Sequence, residues 1–133
     1  MRRRISLVAR ATSLGADVIK VEATEGEVGR RVGPFITSEG SRVSFLHATK
    51  RSLTLDLRTP AGRVVFLKLA ARSDIVVQNF RPGTFDKWGI GYEHCRVIKP
   101  DIVYVSMSGY GHTGRHHHYT TFGPVAQAVS GLT

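Results

Sequence analysis

The sequence predicts an α/β fold, an open and mostly parallel sheet with flanking helices. Three observations carry this. Short strand patterns alternate with helical patterns along the chain. A continuous apolar run, Ile75-Val76-Val77, reads as a strand buried in a parallel sheet. That run ends at a polar Asn79 and a basic loop, Arg81-Pro82-Gly83. Open α/β sheets build their ligand sites at the C-terminal ends of their strands.

The elements follow in order. Residues 5–14 predict a short helix with Ile5, Val8, Ala11 and Leu14 on one face, stopped by Gly15. Residues 17–22 read as a strand. Residues 23–44 are loop-rich, with glycines at 26, 29, 33 and 40 and Pro34. Residues 52–57 alternate with period two, so one face is buried and the other polar. Thr59 can cap a helix whose first position is Pro60, where a missing N–H costs nothing. Val64, Leu67 and Ala71 then share a helical face, with Lys68 and Arg72 outside. Residues 84–88 and 92–98 predict short helices ended by Pro100, 102–107 a strand, and 122–132 a last helix. Strands separated by helices imply parallel pairing through right-handed crossovers, hence one Rossmann-like domain.

Composition narrows the class. The chain has 133 residues, 41% hydrophobic and 22% charged, as a folded domain rather than a disordered one. No apolar run approaches the ~20 residues that cross a bilayer, and a cytoplasmic setting is expected. Residues 1–13 contain no acid, so an organellar transit peptide is the other reading of that segment. Cys95 is the single cysteine and has no CxxC partner, so it reads as a buried thiol. The net charge of +9 points to an anionic partner, a phosphate-bearing ligand or nucleic acid. Arg2, Arg3 and Arg4 supply three of those charges.

Two basic groups are candidate anion contacts: Lys50-Arg51 with Arg42, and Arg81 with Lys87. An arginine fork matches phosphate oxygens. No helix-turn-helix, zinc finger or aromatic RNA platform accompanies them. Residues 109–114, GYGHTG, spell GxGxxG after a strand. The following Arg115-His116-His117-His118 is a poor helix start, and no acid follows Asp101, so Gly109, Gly111 and Gly114 read as a flexible glycine loop beside a ligand site. Consecutive histidines point in different directions, which disfavours a tetrahedral metal site, so His112 and His116–His118 read as a polar loop. No nucleophilic triad, HExxH or Walker A motif is present. Asp74 and Asp101 open strands, the wrong end of a parallel sheet for catalysis. The residues alone support an anion-binding α/β domain and assign no catalytic residue.

Several blocks in order carry a resemblance. LGADVIKVE (14–22), KRSLTLDLRTPAGR (50–63), DIVVQNFRPGTFDKWGIGYE (74–93), IVYVSMSGYGHTG (102–114) and TFGPVAQAVSGLT (121–133) resemble the family III CoA-transferases of the CaiB/BaiF type. That group includes formyl-CoA transferases and acyl-CoA racemases. The resemblance implies transfer of coenzyme A from an acyl-CoA thioester to a carboxylate acceptor, by way of an aspartyl intermediate. It places Lys50, with Arg51 beside it, near the CoA phosphates, and Asn79 and Phe80, with Arg81 next in the loop, around the adenosine. Lys87 stands where the family has arginine, so charge is kept and the fork is lost. Trp88 matches an apolar residue that packs on adenine, and Ser108 stands where some members have lysine. The glycine loop shields reactive species from water. No metal is implied.

Residues 1–13 do not read as the family's first strand. The reactive aspartate belongs to a block after Ser130-Gly131-Leu132. The racemase branch has a histidine where this chain has Phe122, which cannot exchange a proton. The expectation is therefore a partial large domain over 14–133, incomplete at both ends of its sheet and inactive alone, from a family of interlocked homodimers. Exposed sheet edges and apolar surface would make it marginally stable. A CoA-binding fragment without catalysis, the racemase branch and a nucleic-acid-binding protein are the alternatives.

Overall fold

The computed structural model describes residues 11–12, 14–27, 30, 47, 49–120 and 123–131. Most of the basic segment 1–13, most of the glycine-rich stretch 23–44, Arg42 and Phe122 lie outside the described residues. The chain divides into two units, Arg2–Asp56 and Leu57–Thr133.

In the first unit a helical turn at Ala11 and Thr12 ends as Gly15 takes a left-handed φ of +92°. The Ala16 N–H donates to Ala11 O at 3.0 Å and the Gly15 N–H to Thr12 O at 3.1 Å, which satisfies the last carbonyls. The expected stop at Gly15 is thus present. Strand β1, Ile19–Glu22, pairs in parallel with β2, Arg51–Thr54, from Ile19↔Arg51 to Glu22↔Thr54. Both strands are shorter than the sequence pattern suggests. Asp17 is drawn to the Arg51 side chain instead of extending β1. Along β2, Leu53 is half-buried between exposed Ser52 and Thr54, as period two requires.

In the second unit helix α1 spans Pro60–Ala70. Thr59 Oγ1 accepts the Gly62 N–H at 3.1 Å and Pro60 opens the helix, as the sequence dictates. The buried stripe is Gly62, Phe66 and Ala70, not Val64, Leu67 and Ala71. Val64 is 52% exposed. Phe66 sets the stripe because its large ring meets Phe85 edge-on at 5.6 Å. Strands β3, Ile75–Gln78, and β4, Val103–Ser106, pair in parallel from Ile75↔Val103 to Gln78↔Ser106. The connection holds α2, Thr84–Lys87, and α3, Tyr92–Ile98; α4, Gly123–Val129, follows β4. Parallel neighbours need such a long crossover.

The core of this unit gathers Leu57, Phe66, Ala70, Val76, Phe85, Ile90, Cys95 and Ile102. Cys95 is fully buried, its Sγ 3.6 Å from Ile90 O, and burial pushes the thiol pKa up. The buried-thiol reading holds. The Ile75–Val77 run is not buried throughout. Val76 and Gln78 face inward, while Ile75 and Val77 are exposed, beside exposed Val103 on the same face of the strand pair. The pleat sends alternate side chains to opposite faces, and only one face is covered. Among the described residues four strands pair two by two, both pairs parallel, and the α/β class stands.

Candidate functional site

The candidate site of the second unit starts from Gln78, the last residue of β3. Its side chain is buried. The Nε2 donates to Ser106 Oγ at 2.9 Å, and Oε1 accepts the Phe80 N–H at 2.8 Å. A buried amide satisfied at both ends costs little to bury and is expensive to lose. It fixes the turn on which Asn79 and Phe80 stand. The sequence reading passed over Gln78; its signal was a polar residue inside an apolar strand, one position before the loop.

Phe80 is 41% exposed and joins an aromatic chain that runs inward. Its ring lies 5.5 Å from Trp88 and 4.9 Å from buried Phe85, which meets Phe66 in the core. Phe80 and Trp88, selected separately from the sequence, form one half-open aromatic surface. Asn79, Arg81 and Lys87 are exposed around it. Gly83 takes φ +77° and opens α2, so the Arg81–Gly83 loop reverses direction within three residues.

The loop after β4 carries the glycines. Gly111 and Gly114 have φ of +80° and +92°, and Gly109 is exposed. Ser108 Oγ donates to Gly111 O, and His117 Nδ1 lies 2.7 Å from Gly114 O. A carbonyl only accepts, so Nδ1 carries the proton. Residues 115–118 form turns, and no helix begins directly after Gly114. The GxGxxG therefore lacks the helix N-terminus that would hold a pyrophosphate. A cavity of about 470 Å³ lies between the two loops, lined by Arg81, Pro82, Gly83, Asp86, His112, His117 and His118. Both loops follow the C-terminal ends of parallel strands. Among the described residues no three histidine, cysteine or acidic side chains are grouped to hold a metal ion.

In the first unit Lys50 directly precedes β2 and is half-buried; loss of water lowers its ammonium pKa. The residue before it, Thr49, has φ +67°, uncommon for a β-branched side chain. Arg51 grips Asp17 with both arms of its fork, at 3.1 and 2.6 Å. An anion at Arg51 would compete with that carboxylate.

An ion network next to Lys50 was not visible from the sequence. Glu22 is buried, receives Arg30 Nε and Nη2 at 3.0 and 2.9 Å, and lies 3.3 Å from Lys20 Nζ. The Arg30 hydrogen bonds above all hold its carboxyl down at about 2, against the opposing effect of burial. Lys20 also binds Glu27, and His47 Nε2 lies 3.2 Å from Lys20 Nζ and 3.1 Å from Glu27 Oε2. Burial first, then the charges of Lys20 and Lys50, push His47 down to about 4.

Residues 12–133 match the sequence model of CoA-transferase family III. The chain belongs to that family. It is 37% identical over 122 residues to acetyl-CoA:oxalate CoA-transferase of Acetobacter aceti, covering 91% of this chain and 31% of that one. It is 41% identical over 121 residues to the beta subunit of succinyl-CoA–L-malate CoA-transferase of Chloroflexus aurantiacus, covering 89% and 30%. The structure superposes on a CAIB/BAIF family protein from Brucella suis with a TM-score of 0.83 and 36% identity, over 93% of this chain and 34% of that one. A hypothetical protein from Mycobacterium tuberculosis gives 0.84 and 34%, over 98% and 36%. The chain spans about a third of the length of the curated relatives it matches.

The family III match takes in every site residue singled out above and leaves residues 1–11 outside it. No helix among the described residues is long and apolar enough to cross a membrane.

Proposed function

We propose that this chain supplies the coenzyme-A-binding part of an enzyme that moves CoA from an acyl-CoA thioester to a carboxylate acceptor. The observation that carries the reading is the turn fixed by Gln78, which holds Asn79 and Phe80 at the end of a parallel strand with Phe80 against Trp88. Phe80 and Trp88 offer an apolar face to adenine, and Asn79 offers an amide to its polar edge. In the second unit Arg81 and Lys87 offer charge to phosphates, Arg81 as a fork and Lys87 as a point charge; in the first unit Lys50, taken by itself, offers a point charge. Arg51 serves only by exchanging Asp17 for a phosphate.

The chemistry that goes with this binding begins with an aspartate carboxylate. It attacks the donor thioester carbonyl, and the C–S bond breaks to give an acyl–aspartyl anhydride and the CoA thiolate. The thiolate attacks the aspartyl carbonyl, releasing the donor carboxylate and leaving aspartyl-CoA. The acceptor carboxylate repeats the two steps in reverse. We assign the nucleophile's role to none of the described carboxylates. Asp74 and Asp101 stand just before β3 and β4, at the end opposite the loops. The chain alone then binds without transferring. A homodimer and a cytoplasmic setting belong to the same proposal.

Thermal unfolding with and without coenzyme A tests it, followed by calorimetric titration. A transition that rises with CoA concentration supports the reading. Lys50→Ala or Asn79→Ala should weaken CoA about tenfold, the loss of one charge-assisted or well-placed hydrogen bond. Binding unmoved by both substitutions sinks it. Steeply salt-dependent DNA binding that ignores both positions would favour the nucleic-acid reading, which rests on the net charge of +9.

A further inference from the structure

Among the described residues Thr49 is the one non-glycine with a left-handed backbone, φ +67°. The others in that region, from Gly89 at +70° to Gly15 and Gly114 at +92°, are glycines, which enter it without strain. A β-branched residue enters it only under compulsion, because its Cβ crowds the backbone. The Thr49 side chain is exposed, so burial does not account for it. Strain of this kind persists where the surroundings over-determine the backbone, and it gathers at functional sites.

The surroundings of Thr49 act from both sides. Before it, His47 Nε2 lies 3.2 Å from Lys20 Nζ and 3.1 Å from Glu27 Oε2. The Lys50 N–H donates to His47 O at 3.2 Å, which closes a turn around Thr49. After it, the Arg51 N–H donates to Val18 O at 2.9 Å as β2 begins, while the Arg51 fork holds Asp17. Lys50 thus stands between a closed turn and the start of the strand ladder, its backbone fixed on both sides. There its ammonium is drawn part-way out of water, which lowers its pKa. Lys20 and His47 are lowered first by burial and in part by the Lys50 charge, so these cationic groups face one another. The carboxylates of the same network are engaged, Glu22 by the Arg30 fork and Glu27 by Lys20. A half-buried cation beside another cation is unfavourable, and an arriving anion relieves it.

We infer that Thr49 is a positioning residue, whose strained left-handed turn holds the Lys50 ammonium in place for a phosphate group of the ligand. Thr49 acts through Lys50 rather than on the ligand. The identity of that ligand rests on the coenzyme A reading; the placement of Lys50 by Thr49 does not.

Thr49→Pro tests the inference, because proline fixes φ at about −65° and cannot hold the turn. Thr49→Asn is its counterpart, since asparagine is enriched in the left-handed region. The full 133-residue chain is used, its lysines carrying isotope-labelled methyl groups and the Lys50 NMR signal assigned by its loss in Lys50→Arg. In the parent chain Lys50 should titrate below the ordinary lysine range, and inorganic pyrophosphate should move its signal. Thr49→Pro should return the titration to that range and abolish the response, and Thr49→Asn should restore both. Relief of strain should also raise the thermal midpoint of Thr49→Asn by about 3 °C. By calorimetry Thr49→Pro should weaken coenzyme A about tenfold, as Lys50→Ala does. The double variant should be no weaker than Lys50→Ala alone, because both changes remove one contact. Ordinary titration of Lys50 in the parent, or a signal that ignores pyrophosphate, overturns the inference, and neither readout needs a variant to fold. Additive losses in the double variant overturn it as well, and coenzyme A binding that still needs Lys50 then keeps the coenzyme A reading. Absence of coenzyme A binding beside the expected pyrophosphate response removes the coenzyme A reading and leaves Thr49 as the residue that positions Lys50.

Discussion

Gln78 and Ser106 meet twice, as register partners at the ends of β3 and β4 and again through a 2.9 Å bond from Gln78 Nε2 to Ser106 Oγ. The same amide accepts the Phe80 N–H. One side chain therefore ties the last rung of the strand pair to the first turn of the site loop. Gln78→Ala removes both bonds; Phe80 and Ser106 are exposed and can turn to water, so the loss should be about 1–3 kcal/mol for the two bonds together. Ser106→Ala should cost less, because only one bond is lost. Urea midpoints of the two variants decide it; a Gln78→Ala midpoint no lower than that of Ser106→Ala would show that the turn is held by something else.

Gly91 tells how closely α2 and α3 approach. A Cβ there would stand 1.9 Å from Asp86 Oδ1 and 3.2 Å from Asp86 Cα. The backbone neighbour cannot rotate away, so Gly91→Ala should destabilise by about 1–3 kcal/mol, the usual cost of overpacking. Removing the oxygen in Asp86→Ala/Gly91→Ala should recover part of the loss, since contacting sites are not additive. Additive losses in the double variant would mean that the clash is with the backbone alone.

The sequence made some of this legible and hid the rest for identifiable reasons. Helix α1 was announced by Thr59 and Pro60 because capping is local chemistry, and both sit where the pattern put them. The α2 and α3 boundaries were equally local. The buried face of α1 was not, because Val64 and Leu67 are as apolar as the stripe that is buried, and Phe66 wins through a partner nineteen positions away. The continuous run Ile75–Val77 suggested burial on both faces, whereas apolar character says only what a residue tolerates. The ion network escaped notice because Lys20, Glu22, Glu27, Arg30 and His47 are unremarkable singly and meet only when β1 is laid beside β2. Among the candidate ligands, Phe80 and Trp88 proved to be one surface. Arg51 proved to be engaged with Asp17, a partner that no spacing rule would select.

Tyr104 carries a buried hydroxyl with no hydrogen-bond partner among the described residues, and burial raises its pKa strongly. Its ring is positioned by Tyr92, edge-on at 5.9 Å. Tyr104→Phe keeps that ring and removes the orphaned oxygen. Deleting an unsatisfied polar atom relieves its desolvation cost, so the variant should be more stable by up to about 1 kcal/mol. The check is a higher thermal midpoint at neutral pH. A lower midpoint would show that the hydroxyl has a partner, such as an ordered water, that it needs.

Acid should unfold the first unit in two steps whose order follows from His47 and Glu22. Both groups have folded pKa values below their ordinary ones: His47 about 4 against 6.5, and Glu22 about 2 against 4.5. In each case the unfolded chain takes up the proton more readily, so stability rises with pH and is lost as pH falls. His47 acts first, between about 6.5 and 4, because protonating it would bury a charge beside Lys20 and Lys50. Glu22 acts between 4.5 and about 2, because protonation removes the acceptor of the Arg30 fork. Each step is worth on the order of 1 kcal/mol once solvent screening of these groups is allowed for. Urea midpoints measured from pH 7 to pH 3 should fall through both windows. His47→Gln should flatten the upper window and leave the lower one. Glu22→Gln should lower stability at pH 7 and flatten the lower window, since the variant no longer has a proton to gain. A midpoint that stays level from pH 7 to pH 4 would mean that His47 is open to water, and the network beside Lys50 would lose its buried character.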